Sequence, residues 1–278
     1  MEIKIAKYSG FCFGVKNTFE KALVLAEKQR VYCLGEIVHN QKVIDYLEKK
    51  GVIFVDNINS VPNGKTIIIR AHGTTVDIYN KIKAKKLNLV DLTCGKIVSI
   101  HHKVSKLKDT FIIIVGKKNH PEVISTKSFA GPNSFIIESE ADINKSYELY
   151  KEKKLTKVFV VCQTTFSLEL FDKITKKLKK LYKDIIIDNT ICDATIKRQN
   201  EVESISKEVD IMLIVGDNKS SNTRELFNIA SKNTKTYFIS DKKDLKNIVL
   251  EGKIGIASGA STPQEEVTKI VKLIEKEK

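Results

Sequence analysis

Short, almost uninterrupted apolar runs rich in Val and Ile alternate along this chain with longer stretches whose apolar positions recur every three or four residues. Runs such as TIIIR, FIIIV, VFVV, DIII and IMLIV lack polar alternation, which fits strands buried on both faces of a sheet. The longer stretches read as amphipathic helices, for example Val15–Gln29, Val76–Lys86, Ser167–Lys183, Thr223–Lys232 and Pro263–Lys276. Ser167 and Thr223 have the side chains of N-caps, and Pro263 suits a first helical turn. Strand and helix in alternation predict an α/β protein with mostly parallel sheets.

The strands repeat in groups of four. The first group is Val31–Leu34, Val52–Val55, Thr66–Arg70 and Asn88–Asp91; the second is Phe111–Val115, Ser134–Glu138, Val158–Cys162 and Ile185–Asp188. The third is Ile211–Val215, Thr236–Ile239 and Ile254–Ala257, with Ile3–Lys7 at the start of the chain available as its fourth strand. The repeat predicts three similar lobes, residues 13–94, 95–192, and 193–278 with 1–12, each holding a mostly parallel four-stranded sheet. The expected arrangement has pseudo-threefold symmetry around a central cavity. One cysteine follows each fourth strand: Cys94, Cys192 and Cys12. His39, His72, His120, Glu122, Thr164, Ser220, Ser221, Asn222 and Ser261 follow first and third strands. Ligands of open α/β sheets bind outside the carboxyl ends of the strands, so this placement predicts one shared site.

Composition narrows the classes. Apolar content is 42% and charged content 29%, as in an ordinary globular chain. No run approaches the roughly 18 apolar residues of a membrane span, and MEIKIAKYSG has no export signal; the expectation is a cytoplasmic protein without membrane partners. The net charge of +14 raises nucleic-acid binding, but only Arg30, Arg70, Arg198 and Arg224 are arginines. Bidentate base and phosphate recognition favours arginine. Lysines spread along helices such as DKITKKLKKLYK read first as a solvated face; attraction of anionic substrates or an acidic partner is the alternative.

Of five cysteines, Cys33 and Cys162 lie inside apolar strands and read as core residues. Cys12, Cys94 and Cys192 stand in the turns GFCFG, LTCGK and TICDA. Three thiolates can hold three irons of a [4Fe–4S] cluster and leave the fourth open. Zinc on the same cysteines plus a histidine, in a binding module, is the alternative from residue types alone; a lysine-rich RNA-binding protein is a second. In HPE (120–122) a carboxyl and an imidazole come together, and Thr164 and Thr165, read as belonging to the neighbouring lobe, supply hydroxyls for a proton relay. Hydroxyl-bearing turns at Ser220–Asn222 and Ser258–Ser261, each before a helix, suit phosphate oxygens; with His39 and His72 they suggest a diphosphate pocket. His101 and His102 fall mid-helix and receive no role.

Taken in order, GFCFGV, GEIVHN, RAHG, LTC, KNHPEV, QTT, TICDAT, VGDNKSSN and GAST resemble the 4-hydroxy-3-methylbut-2-enyl diphosphate reductase (LytB/IspH) family over essentially the whole chain. The resemblance implies three α/β lobes around a cavity, a [4Fe–4S] cluster on Cys12, Cys94 and Cys192 with one iron lacking a protein ligand, and reductive removal of the substrate's hydroxyl. It implies diphosphate binding by His39, His72, His120, Ser220, Asn222 and Ser261, with Ser221 nearby. Glu122 is implied as proton donor and Thr164 as the residue that holds the hydroxyl and relays protons. No G-x-G-x-x-G follows a strand, so electrons are expected from ferredoxin or flavodoxin. Gly95-Lys96 after the middle cysteine and Thr74-Thr75 after RAHG depart from the family's usual pattern.

Overall fold

A computed structural model describes residues 2–276 of the chain. The elements begin with β1 (Glu2–Ile5), α1 (Phe13–Lys28), β2 (Val31–Leu34), α2 (Gln41–Lys49), β3 (Val52–Val55), β4 (Thr66–Ile69), α3 (Val76–Ala84) and β5 (Asn88–Asp91). Next come α4 (Gly95–Lys106), β6 (Thr110–Val115), α5 (Pro121–Ala130), β7 (Ser134–Ile137), α6 (Ile143–Lys153), β8 (Lys157–Cys162), α7 (Leu168–Leu181) and β9 (Ile185–Ile187). The last are α8 (Asp193–Ser206), β10 (Ile211–Val215), α9 (Ser221–Ala230), β11 (Lys235–Ile239), β12 (Lys253–Ser258) and α10 (Gln264–Lys276).

The strands form three four-stranded sheets, in the orders β3-β2-β4-β5, β7-β6-β8-β9 and β11-β10-β12-β1. All of their pairings are parallel. Each sheet thus has the same order, with its first strand between the second and third, and β1 serves as the fourth strand of the last sheet. That is the repeat expected from the apolar runs. The N-terminal strand is Glu2–Ile5, shifted toward the chain start from the expected Ile3–Lys7.

The chain divides into two compact units. One comprises the residues up to Phe19, Ile37–Lys49 and the residues from Asp193 on; the other comprises Glu20–Glu36 and Lys50–Cys192. Expected lobe ends at residues 1 and 278 lie outside the described residues. Side-chain alternation explains how a strand with no polar face is accommodated. In β10, Ile211, Leu213 and Val215 pack toward Val267, Ile270 and Ile274 of α10, while Met212 and Ile214 pack toward Val202 and Ile205 of α8 and Leu226 of α9. In β6, Ile112 and Ile114 meet Ile100 and Val104 of α4 and Val123 of α5. Each fully buried Ile or Val contributes about 1.5–3 kcal/mol of transfer free energy.

Ser167 caps α7 as expected, its hydroxyl accepting from Leu170 N. The cap of α9 is a correction: Ser220, not Thr223, takes that position and accepts from Thr223 N. Thr223 lies inside the first turn and is fully buried. On α7, Phe171, Ile174 and Leu178 are buried, and Lys173 and Lys176 pair with Glu169 and Asp172 one turn back on the exposed side. Such exposed pairs contribute little stability. Among the described residues, no helix is long and apolar enough to cross a membrane.

Candidate active site

Each of the three turn cysteines immediately precedes a helix: Cys12 before α1, Cys94 as the N-cap of α4, and Cys192 before α8. Their backbone N–H groups repeat a single bond. Cys94 N donates to Ala71 O (2.9 Å), Cys192 N to Thr164 O (3.0 Å) and Cys12 N to Ala260 O (3.3 Å). Every acceptor lies two residues beyond the third strand of its own sheet, since β4 ends at Ile69, β8 at Cys162 and β12 at Ser258. A cysteine is therefore tied each time to a carbonyl at or beside a candidate site residue: next to His72, at Thr164, and next to Ser261.

The three sulfurs sit at helix starts, where the backbone dipole favours negative charge. All three are half-buried, and none of the five cysteines forms a disulfide. Cys33 and Cys162 are buried in β2 and β8. Burial pushes the Cys33 thiol up to about 12 against the opposing influence of Arg70. It also pushes Cys162 well up, and the Glu122 charge adds to this. They are core thiols, as read from the sequence. Among the described residues, no three His, Cys, Asp or Glu side chains form a group able to hold a metal ion. What fits an iron–sulfur group is the chemistry of the donors: three thiols at equivalent positions, each on a fixed backbone.

In the unit that contains Lys50–Cys192, Pro121 and Glu122 open α5, and His120 is its N-cap, with Nδ1 accepting from Glu122 N (3.2 Å). Glu122 is 2% exposed. Its Oε1 accepts from Thr164 N (2.6 Å) and its Oε2 from Thr164 Oγ1 (2.7 Å). Burial raises the carboxyl from 4.5 to about 7, with the two Thr164 bonds opposing it. The His72 ring meets the His120 ring edge-on at 5.3 Å. Gln163, beside Thr164, accepts from Lys117 N (3.0 Å) and donates to Thr165 Oγ1 (2.8 Å), which fixes the loop after β8 against the loop after β6. Thr165 is thus held by Gln163 rather than by Glu122, so the hydroxyl that meets the acid is that of Thr164.

In the other unit, Ser220, Ser221 and Asn222 begin α9 and are buried. Both amide atoms of Asn222 and the Ser261 hydroxyl are buried without a hydrogen-bond partner. Buried polar groups are nearly always paired, so these mark where a polar ligand would sit. Gly259 brings the two turns together, because a methyl on it would run into the Thr223 hydroxyl. His39 stands just before α2. Asn40, which sequence reasoning passed over, donates to Ser261 O (3.2 Å) and accepts from Val43 N (3.3 Å). It thereby joins the His39 turn to the Ser261 turn. Only its place beside His39 in GEIVHN signalled this.

A family model described as LytB protein matches residues 3–275. The chain belongs to the LytB family. The family resemblance read from the nine motifs therefore holds. The chain is similar to the 4-hydroxy-3-methylbut-2-enyl diphosphate reductase of a Thermoanaerobacter species, 38% identical over 99% of this chain and 96% of the relative. It is also similar to that of Clostridioides difficile, 37% identical over 99% of each chain. Among solved structures it is similar to the E-1-hydroxy-2-methyl-but-2-enyl-4-diphosphate reductase of Plasmodium falciparum, with a TM-score of 0.87, 33% identity, and coverage of 98% of this chain and 87% of that one. A second family structure, a terminal enzyme of the non-mevalonate pathway, gives a TM-score of 0.70 at 31% identity, covering 99% of this chain and 100% of the other.

Proposed function

We propose that this chain is an iron–sulfur reductase that converts 4-hydroxy-3-methylbut-2-enyl diphosphate to isopentenyl and dimethylallyl diphosphates, the last step of the non-mevalonate isoprenoid pathway. The names of its relatives support the reaction. The observation that carries the reading is the succession of Glu122, Thr164 and Cys192: a buried acid bonded to a hydroxyl residue whose own carbonyl holds a candidate ligand cysteine. We retain three lobes, bounded near Cys94 and Cys192, as our reading of the repeat, and a cytoplasmic setting, where thiols stay reduced.

Removing the hydroxyl takes two electrons and two protons: one proton leaves with the hydroxyl as water, and the other ends on carbon. A [4Fe–4S] cluster held by Cys12, Cys94 and Cys192, with one iron lacking a protein ligand, would supply electrons singly and Lewis acidity. Glu122 supplies the proton for water. In its ionised form it accepts from the Thr164 hydroxyl; once protonated it donates to that oxygen, and the hydroxyl proton turns toward the substrate. Thr164 thus hands on the proton and holds the leaving oxygen. His39, His72, His120, Ser220, Ser221, Asn222 and Ser261 bind the diphosphate, with the start of α9 favouring its negative charge.

Asn222→Ala is expected to raise KM for the allylic diphosphate by about tenfold to a hundredfold, the worth of one or two hydrogen bonds to a charged group, with kcat changed much less. Steady-state kinetics check this; an unchanged KM would remove Asn222 from the binding set.

Ferredoxin or flavodoxin would deliver the electrons. Such carriers are usually acidic, and the chain carries a net charge of +14. Raising salt from about 0.05 to 0.5 M is therefore expected to slow reduction by the protein donor more than reduction by a small chemical donor. Equal sensitivity would remove electrostatic steering from the account. The reaction itself is tested by anaerobic assay with a small chemical reductant: both isomeric products are expected, and no conversion by protein loaded with iron and sulfide would overturn it.

A further inference from the structure

His101 received no role from its position in the middle of α4, yet the fold buries it to 5% exposure. It lies seven residues, two helical turns, beyond Cys94, so both fall on one side of α4. Its Nε2 is 3.1 Å from Ser125 Oγ on α5, and the Ser125 hydroxyl donates to Thr74 O at 2.7 Å. A serine hydroxyl has one proton to give. Since that proton goes to Thr74, the bond with His101 runs from a protonated Nε2 to Ser125. The ring also stacks on Phe129, one turn further along α5, with centroids 4.2 Å apart and planes 13° apart. From the third side comes Gly73, at φ +74°: a methyl there would come within 3.0 Å of His101 Cε1 and 3.1 Å of Ser125 Oγ. Burial holds the imidazole down at about 4, against the pull of Asp91, so the ring is neutral at physiological pH.

Three segments meet at this ring. The helix α4 follows its N-cap Cys94, the turn at Gly73-Thr74 follows His72, and α5 follows its N-cap His120 with Glu122 in its first turn and Ser125 one turn after the acid. The same turn is also pinned to α5 by Ser128 Oγ, which accepts from Val76 N (3.1 Å).

We propose that His101 is a positioning residue that sets the start of α5, with His120 and Glu122, against the His72 turn and the Cys94 helix, through the bond sequence His101 Nε2–H to Ser125 Oγ–H to Thr74 O. The inference rests on the reductase reading for its effect on turnover. Its structural content stands apart from that reading. His101 bonds Ser125 and stacks on Phe129, neither of which is a candidate catalytic group, so the residue acts through Ser125 and Thr74. A misplacement of about 1 Å can cost a hundredfold in rate.

The test is a double-mutant cycle with a conservative control. His101→Leu removes the donor, Ser125→Ala removes the relay, and His101→Gln offers an amide N–H in place of Nε2–H. We expect Leu and Ala each to lower kcat for the allylic diphosphate about tenfold to a hundredfold, the double variant to be no worse than the poorer single, and Gln to restore most of kcat. Equal losses in Leu and Gln, or losses that multiply in the double variant, would overturn the proposal. Imidazole nitrogen NMR supplies a readout that needs no turnover. The His72 and His120 signals should shift in His101→Leu and Ser125→Ala and return in His101→Gln. Unshifted signals in both of the disruptive variants would overturn it whatever the kinetics. Wild-type protein loaded with iron and sulfide that fails to convert the substrate would sink the reductase reading, and the NMR comparison would still decide the role of His101.

Discussion

Glu122→Gln is expected to leave folding and diphosphate binding intact while lowering turnover by about a hundredfold to ten-thousandfold, the usual contribution of a positioned general acid. The amide preserves the shape and both contacts: its oxygen can accept from Thr164 N, and its nitrogen can donate to Thr164 Oγ1. Only the transferable proton is lost. Because burial lifts the carboxyl to about 7, wild-type kcat should be level below that pH and fall about tenfold per unit above it. The same shift has a stability consequence of defined sign. The folded state holds this proton more tightly than the unfolded chain, whose value is 4.5, so stability falls as pH rises from about 4.5 to 7. Above that window the cost has reached about 3 kcal/mol. Glu122→Gln carries no such cost and should be more stable than wild type at pH 8, with little difference at pH 4. Near-normal turnover in the variant would remove Glu122 as the acid. Thermal midpoints that differ equally at both pH values would show that the group does not titrate in this window.

Cys94→Ser should abolish the complete four-iron species and with it the turnover, while the chain stays folded. Serine is a good N-cap, and the tether from residue 94 N to Ala71 O is made by the backbone, so α4 retains its start. What disappears is the soft sulfur donor that iron–sulfur clusters require. Cys33→Ser is the control, since that thiol is buried and bonded to Gly35 O at 3.4 Å. It should cost stability through a buried hydroxyl without lowering iron content in the folded protein. Visible absorption and iron analysis on anaerobically prepared variants check both. A stable, fully active cluster in Cys94→Ser would refute the ligand assignment.

The strand pattern was legible because these sheets are buried on both faces. Runs such as IMLIV have no reading as amphipathic helices and no polar side, and the position of β1 followed from a missing fourth strand. The cap of α9 was misread because Thr223 looks like Ser220 in sequence; what separates them is that Thr223 is packed against Gly259 and Gly216, a tertiary fact. The pairing of Glu122 with Thr164 could be guessed from HPE and QTT, but its setting is a correction: Thr164 comes from the same sheet as Glu122, not from a neighbouring lobe, since the two motifs follow the paired strands β6 and β8. That Thr165 is instead held by Gln163 could not be, because it depends on where Gln163 points. His101 was invisible for a similar reason. A histidine beside a second histidine on a lysine-bearing helix looks exposed, and its 5% exposure comes from α5 and the Gly73 turn, both remote in sequence. Asn40 and His101 share a logic: each joins segments that carry candidate chemistry without carrying any itself.

On the proposed function, Cys12, Cys94 and Cys192 hold an iron–sulfur cluster with one iron that no side chain ligates. Iron and acid-labile sulfide per chain, measured on protein purified without oxygen, decide whether they do. About four of each are expected, with iron falling to about three after brief oxidation. Zinc near one per chain with no sulfide would contradict that assignment and favour a metal-stabilised binding module.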